Sequence, residues 1–243
     1  MKTLALSART AKEILRDPIN IAFGLGFPVI LLLMLTVIQK NIPVSLFELE
    51  RLTPGISVFG LSFLTLFSAS LIAKDRSSSL LQRLYTAPLS AKDFILSYTL
   101  PVLPIGLAQT VICYGVAAML GLKLSAHILT AILFSIPASL FFIFLGLLCG
   151  SIFSDKQVGG LCGALLTNLT GWLSGIWFDL SLLGGTFEKI ASALPFVHAI
   201  EMQIAVLGGD YSGIFPHLWW VLAYMLLTAA AAMLLFLFQM RRR

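Results

Sequence analysis

Few residues of this chain have the types and spacing that chemistry requires, and the clearest candidates lie in one stretch. His198 and Glu201 stand one helical turn apart, as an acid–base pair would, and Asp179 and Asp210 flank them. A single His–Glu pair is more often surface polarity at a helix turn, so we predict no catalytic site. The sequence also has no Gly-x-x-x-x-Gly-Lys-Ser/Thr loop for phosphates, no His-Glu-x-x-His motif and no Gly-x-Ser-x-Gly motif. We therefore expect no ATP, no other cofactor and no metal in this chain.

The composition identifies the class of protein. Of the 243 residues, 58% are hydrophobic and only 11% are charged, and the mean hydropathy is +0.97. A soluble domain needs more surface charge, so we predict an all-α membrane protein that forms a single domain over residues 1–243. The three cysteines lie inside apolar runs without paired spacing, which indicates neither a disulfide framework nor a metal site.

Six apolar runs reach the roughly 20 residues that a membrane-crossing helix needs. We predict transmembrane helices at residues 19–38, 55–73, 94–120, 128–152, 158–178 and 217–240. Pro101 and Pro104 should kink the third of them. Residues 1–17 are predicted to form a basic amphipathic helix on the membrane surface. Residues 187–194 and 196–207 are each too short to span, and we interpret them as re-entrant or surface helices on the outer face, followed by a turn at 208–210.

The segment 74–92 is the long polar interruption between the second and third spans. Ser79-x-x-Gln82 and Ser90-x-x-Asp93 both have the form of a capping box, and Ala87-Pro88 should end the helix that the first one starts. Four residues of this short helix share an apolar face at helical spacing: Leu80, Leu81, Leu84 and Tyr85. The helix is either a connector lying on lipid headgroups or a docking helix that carries force to a partner.

The distribution of basic residues predicts the orientation. With the N-terminus inside, twelve Lys and Arg residues fall in the cytoplasm and four outside, which satisfies the positive-inside rule. The inside set is Lys2, Arg9, Lys12, Arg16, Lys74, Arg76, Arg83, Lys92, Lys156, Arg241, Arg242 and Arg243; the outside set is Lys40, Arg51, Lys123 and Lys189. Both termini and the 74–92 segment are thus predicted to be cytoplasmic. Membrane topology accounts for the formal charge of +5, so it gives no indication of nucleic-acid binding.

The fifth span carries a repeat of small residues at every fourth position. One row consists of Gly159, Gly163, Thr167, Gly171 and Gly175, and the adjoining row of Gly160, Ala164 and Asn168. Small residues at this spacing let two helices approach closely in lipid. The partner helix belongs either to the same subunit or to a second copy. Asn168, the lone amide, either bonds across helices or meets a substrate.

No Asp, Glu, Lys, Arg or His lies in the middle of a predicted span. Ion-driven carriers need such a group where protonation is coupled to movement. This pattern argues against a self-contained carrier. If the protein moves a substrate uphill, the energy has to come from another subunit.

Several stretches, in register, resemble one family, the permease subunits of ABC transporters of the type-2 exporter class. These are Lys12 to Pro18 with Phe27-Pro28, Thr53-Pro54-Gly55, Lys74 to Leu84 with Ala87-Pro88-Leu89-Ser90, and Leu194-Pro195 with Gly208-Gly209. Acidic residues are more usual in the family where Lys74-Asp75-Arg76-Ser77 and Gln82 stand. The resemblance covers nearly the whole chain.

The resemblance implies a pair of permease subunits, here a homodimer, and two separate ATPase subunits that bind ATP and Mg²⁺. It implies a bacterial cytoplasmic membrane location and ATP-driven efflux of an amphiphilic substrate such as a drug, an antibiotic, a peptide or a lipid. The residues implied to contact the ATPase are Lys12, Arg16, Arg76, Ser79, Leu80, Leu81, Gln82, Arg83, Leu84, Tyr85 and Pro88. Those implied to line the substrate path or the dimer interface are Phe23, Phe27, Phe59, Phe63, Phe67, Gly163, Thr167, Asn168, Gly171 and Gly175.

Two other functions stay open on sequence. An ion-coupled carrier or channel would transport after reconstitution alone, without ATP. An intramembrane lipid-modifying enzyme would need converging polar groups, and its candidates are His198, Glu201, Asp179 and Asp210.

Overall fold

The structure is a computed structural model and describes residues 2–78 and 90–241. The helix predicted from Ser79 to Pro88 lies outside the described residues. Within them the fold is helical and contains no strand, as predicted.

The helices follow one another with short connections. We label them α1 (Lys2–Leu15), α2 (Pro18–Asn41), α3 (Leu49–Ser77), α4 (Ala91–Leu120), α5 (Ala126–Ile152), α6 (Asp155–Val158, Gly159–Leu166 and Thr167–Leu173), α7 (Gly185–Ala193), α8 (Pro195–Gly208) and α9 (Tyr211–Arg241). Asp17 separates α1 from α2 at the predicted position and accepts the backbone N–H of Asn20, which caps α2. The predicted turn at 208–210 is present, with Gly209 left-handed at φ 73°.

Five described helices are long and apolar enough to cross a membrane: α2, α3, α4, α5 and α9. The pair α7–α8, bent by 74° at its junction, would count as a sixth if taken as one span. The predicted fifth span is helical as α6, but α6 is not among these helices and ends at Leu173 rather than at 178. The helix begins with the polar turn Asp155-Lys156-Gln157 and ends at Leu173, so its apolar part is short, and the chain turns at Gly175, where φ is 76°.

Two predicted helix starts were placed too late. The second span begins at Leu49 rather than at 55, and the last begins at Tyr211 rather than at 217. In both cases a proline lies inside the second turn, Pro54 in α3 and Pro216 in α9. A proline there removes one backbone hydrogen bond, and the helix continues through it. Pro101 and Pro104 are likewise inside the continuous α4.

Hydrogen bonds define two ends of the helix bundle. At one, which we call the Arg76 end, Arg76 donates to the carbonyl oxygens of Ser151 (2.6 Å) and Phe153, and Gln239 donates to Ser151 (2.9 Å). At the other, the Arg51 end, Arg51 lies 3.6 Å from Glu201. The last carbonyls of a helix lack partners within it, so Arg76 caps α5 while joining α3 to it. The ends of α3, α5 and α9 therefore lie together.

The central helix is α3, with 89% of its most apolar window buried against 22–44% for the other spanning candidates. It packs on α5 through two glycines. A Cβ atom on Gly150 would lie 2.4 Å from the carbonyl oxygen of Ala69, and one on Gly146 would lie 2.5 Å from that of Thr65. The backbones of the two helices touch at these positions, and a side chain has no space there.

Replacing Gly150 with alanine is expected to destabilise the protein by about 1–3 kcal/mol, because the new methyl group meets backbone that cannot move aside. The apparent Tm of the detergent-solubilised chain should fall. Gly115→Ala is the matched control, since a Cβ atom there meets nothing within 4 Å. Equal Tm values for the two variants would contradict the backbone contact.

Candidate functional site: an aromatic groove and an ionic cluster

A groove of about 430 Å³ lies between α2, α3 and α6. Its walls are mostly aromatic and aliphatic, with three polar side chains. The lining residues are Ile19, Asn20, Phe23, Phe27, Phe59, Phe63, Leu66, Gly163, Thr167 and Asn168. Seven of the ten residues predicted for the substrate path or dimer interface are in this list. They come from three helices that are far apart in sequence.

Three phenylalanine rings from α2 and α3 form the most ordered wall. Phe27 lies 5.8 Å from Phe63 and 6.3 Å from Phe59, and Phe59 lies 6.2 Å from Phe63, measured between ring centroids. The Phe59–Phe63 planes are nearly perpendicular at 89°, a preferred aromatic geometry. These contacts hold the rings in place without any polar bond.

The other three predicted residues lie beside the groove. The Phe67 ring packs over Gly24, where a Cβ atom would come within 2.5 Å of it. Gly171 packs under Trp177, with Phe59 3.3 Å from its Cβ position. Gly175 packs near Leu180 and forms the turn after α6. Phe67 and Gly171 pack behind the groove walls, whereas Gly175 lies in the turn that follows α6.

The two rows of small residues on α6 point in different directions. Gly163 packs on Leu66 with a 3.3 Å contact at its Cβ position, and Thr167 and Gly171 are buried. Gly160, Ala164 and Asn168 are exposed. From Gly163 onward the first row therefore packs within this subunit, whereas Gly159 and the second row are exposed. The Asn168 amide donates to the Ala164 carbonyl oxygen at 2.8 Å within its own helix.

Both α2 and α6 contain a π-helical turn beside the groove, at Ala22–Gly26 and Gly159–Leu166. The wider turn leaves backbone carbonyls without their usual partners, and Thr167 donates to one of them, the Cys162 oxygen, at 3.2 Å. Such turns are frequent at functional sites. Each places a predicted path residue, Phe23 or Gly163, in irregular backbone.

An ionic cluster lies at the Arg76 end of the bundle. Asp75, at the end of α3, is only 1% exposed, and the Arg9 guanidinium on α1 donates to its two oxygens at 2.6 Å each. Tyr98 on α4 donates to Asp75 Oδ2 at 2.5 Å. The hydrogen bond with Asp75 raises the pKa of Arg9. A buried carboxylate needs this pairing, and the bidentate geometry is its strongest form.

The helix α1 is bonded to both flanks of residues 79–89. Arg9 holds Asp75 before them, and the Thr3 hydroxyl donates to Asp93 at 2.8 Å after them. The capping box predicted at Ser90 is confirmed: the Asp93 N–H donates to Ser90 Oγ at 3.2 Å, and the Ser90 N–H to Asp93 Oδ2 at 3.1 Å. In the sequence, 74–92 is one polar interruption between two spans, so Asp75 is not singled out there.

With the groove and the cluster in place, the comparison with known proteins is informative. A family model described as "ABC-2 type transporter" matches residues 1–208, which include α1 to α8 and every residue of both features. The chain belongs to the ABC-2 type transporter family. No curated protein matches it significantly. This match confirms the resemblance found in the sequence. Members of the family are membrane permeases of ABC transporters and are not the catalytic subunits, and the family implies an ABC ATPase partner.

In this ABC-2 permease, three residues predicted to contact the ATPase are described. Lys12 on α1 and Arg16 just after it are exposed, whereas Arg76 is half-buried and engaged with the end of α5. Ser79, Leu80, Leu81, Gln82, Arg83, Leu84, Tyr85 and Pro88 lie outside the described residues. The contact of all of them with an ATPase stays a prediction.

The candidate residues for an enzyme each have a separate structural partner. His198 contacts the His217 ring nitrogen at 2.9 Å and the Ser192 carbonyl oxygen, and Glu201 pairs with Arg51. Asp179 accepts the N–H and the hydroxyl of Ser181, which lower the pKa of its carboxyl. Asp210 accepts the Ser212 hydroxyl and the N–H groups of the turn that follows, which lower the pKa of its carboxyl. Each residue is accounted for by local structure.

Replacing Arg9 with glutamine is expected to cost this permease about 3 kcal/mol, because the buried Asp75 carboxylate loses its counter-charge. The apparent Tm should fall clearly below that of Arg16→Gln, a control at an exposed position just after the same helix. Adding Asp75→Asn to Arg9→Gln should recover part of the loss. If the Arg9 and Arg16 variants melted together, Arg9 would not be needed to compensate Asp75.

Proposed function

We propose that this chain is the membrane subunit of an ATP-driven exporter for amphiphilic substrates. The groove between α2, α3 and α6 is the observation that carries the proposal. Its phenylalanine walls suit an apolar body, and Asn20, Thr167 and Asn168 offer hydrogen bonds to a polar group. Such a lining favours a drug, an antibiotic, a peptide or a lipid over a sugar or an ion.

The Arg76 end is the cytoplasmic end in this proposal, because it gathers the basic residues of the chain. A bound ATPase would act on residues 79–89. Movement there has three bonded routes into the bundle: Arg9–Asp75 and Thr3–Asp93 into α1, and Arg76 into the end of α5. The buried pair is the stiffest of these, since separating it exposes an unpaired charge. The α1 helix and the helix bundle would therefore move together.

A second copy of the chain would face the groove and complete the path. The uncovered row Gly160, Ala164 and Asn168 lies on the same helix as the groove residue Gly163, and the groove residue Phe23 is 57% exposed on α2. Small exposed residues permit close approach of two helices. Two grooves facing each other form one path between the subunits.

The first test replaces Leu81 and Leu84 with aspartate in the predicted docking helix. Charges placed in an apolar contact cost about 2–4 kcal/mol, which is more than tenfold in association. The double variant should insert into the membrane and fail to bind, or to stimulate, the ABC ATPase encoded with it. Val44→Asp with Leu46→Asp, exposed in the loop before α3 at the opposite end, is the control.

Two results would reject the proposal. One is normal ATPase assembly and ATP-driven transport by the Leu81/Leu84 variant, which would leave the docking helix a mere connector. The other is transport by the purified chain alone, driven by an ion gradient and insensitive to ATP, which would make it a self-contained carrier.

A second test addresses the pairing of two copies. Ala164→Cys should form a covalent dimer on mild oxidation in membranes, because the small-residue row faces its counterpart. The native cysteines are buried or half-buried and should give no such dimer. Leu129→Cys, 66% exposed on α5, is the control for random collision. Equal cross-linking at both positions would contradict the interface.

A further inference from the structure

A second cleft, of about 450 Å³, lies where the chain passes from α1 into α2. We call it the elbow cleft. Its inner surface is apolar and its rim is charged. The apolar part includes Ile14, Ile21, Phe67 and Leu71, and the rim is formed by Glu13, Arg16, Asp17 and Lys74.

The rim charges are incompletely balanced. Lys74 lies 3.5 Å from Asp17, which makes one neutral pair. Arg9 is the shared partner of Asp75 and Glu13, so one guanidinium faces two carboxylates and the group keeps one negative charge. No carboxylate among the described residues lies within ion-pair distance of Arg16. The rim therefore offers one uncompensated negative group and one uncompensated positive group.

The negative group also lacks a hydrogen bond. Glu13 Oε2 is a buried atom that lies 2.9 Å from Arg9 Nη2, but it accepts no hydrogen bond, because the Arg9 N–H groups are directed to Asp75. Burial raises the pKa of the Glu13 carboxyl. A buried carboxylate oxygen without a donor is costly. The Glu13 side chain as a whole is 30% exposed and lines the cleft, so a ligand there can reach the carboxylate and supply both an N–H donor and positive charge.

We propose that the elbow cleft binds the headgroup of a phospholipid that carries a primary ammonium group. The ammonium donates to Glu13, the phosphate lies against Arg16, and the first methylene groups of the lipid cover the apolar surface. The occupant is a membrane lipid because the cleft is flanked by Leu15 (73% exposed) and Ile19 (68% exposed), apolar side chains that acyl chains would cover. This proposal does not depend on what the protein exports.

The rim disfavours three other common headgroups. A choline group has a quaternary nitrogen without N–H, so it cannot donate a hydrogen bond to the Glu13 carboxylate. A glycerol headgroup has hydroxyls but no positive charge, and a serine headgroup has a primary ammonium but adds a carboxylate that is repelled by Glu13. The rim thus distinguishes ethanolamine from choline by one hydrogen bond and from anionic lipids by charge.

The test uses the full-length purified permease in detergent and a phosphatidylethanolamine labelled on an acyl chain. Its binding is measured by fluorescence anisotropy in competition with unlabelled dioleoyl lipids that differ only in headgroup. For the wild type, the ethanolamine lipid should compete about tenfold better than the choline lipid, as one charge-assisted hydrogen bond allows. Glu13→Gln should reduce this preference to within about twofold, whereas Glu188→Gln, exposed on α7, should retain it.

Two further variants keep the result interpretable. Arg16→Gln should weaken the binding of both phospholipids alike, since both carry the phosphate. Ser70→Leu fills the elbow cleft without changing a charge and should reduce ethanolamine-lipid binding even if Glu13→Gln is poorly folded. Equal competition by ethanolamine and choline lipids in the wild type would overturn the proposal. So would stronger competition by phosphatidylglycerol, or an unchanged preference in the Glu13 and Ser70 variants.

Discussion

The buried carboxylate of Asp75 is the constraint on which the rest of the structure depends. It terminates the central helix α3 with 1% exposure, where an unpaired charge would be prohibitive. Its partners come from α1 and α4, so the N-terminal helix has to return to the bundle and α4 has to begin beside it. One ionised group therefore fixes the relative positions of three helices at the Arg76 end. Hydrophobic burial alone would leave them free to rotate against one another in lipid.

From Gly150, next to that end, toward the rest of the bundle, close packing at glycines adds to the effect of charge. Gly146 and Gly150 bring α5 against the backbone of α3, and Gly163 brings α6 against the Leu66 side chain of the same helix. Packing of this kind fixes α3 between its neighbours and leaves the aromatic groove on the side where α2 and α6 are irregular. In the part of the chain that the structure describes, the row of Gly160, Ala164 and Asn168 on α6 is exposed. The α3–α5 side is closely packed, and the side that α2 and α6 form is less completely packed. This difference suits the proposed substrate path, which has to change shape during transport.

The sequence predicted the helical class, α4 and α5 within three residues, and most of the groove. The helical class and the two helices rest on hydropathy, which is a local property, whereas the groove residues are implied by the family resemblance. The errors have a common cause, which is that tertiary contacts override local signals. The predicted second and last spans begin just after Pro54 and Pro216, yet both helices continue through these prolines. Asp75 has no special role in the sequence prediction, because nothing in a run of polar residues reveals that Arg9, 66 residues earlier, pairs with it.

The polar side chains in the middle of α6 are connected with the groove. A helix that crosses lipid with both faces exposed must be apolar throughout, whereas α6 places Thr167 against α3 and Asn168 beside the groove. Hydroxyls and an amide are tolerated where they bond to backbone or line a cavity, and here they bond to Cys162 and Ala164 carbonyls. Thr167 and Asn168, with Asn20 of α2, give the groove its polar atoms. In the proposed pairing of two copies, the exposed row of Gly160, Ala164 and Asn168 would be covered by the same row of the second copy.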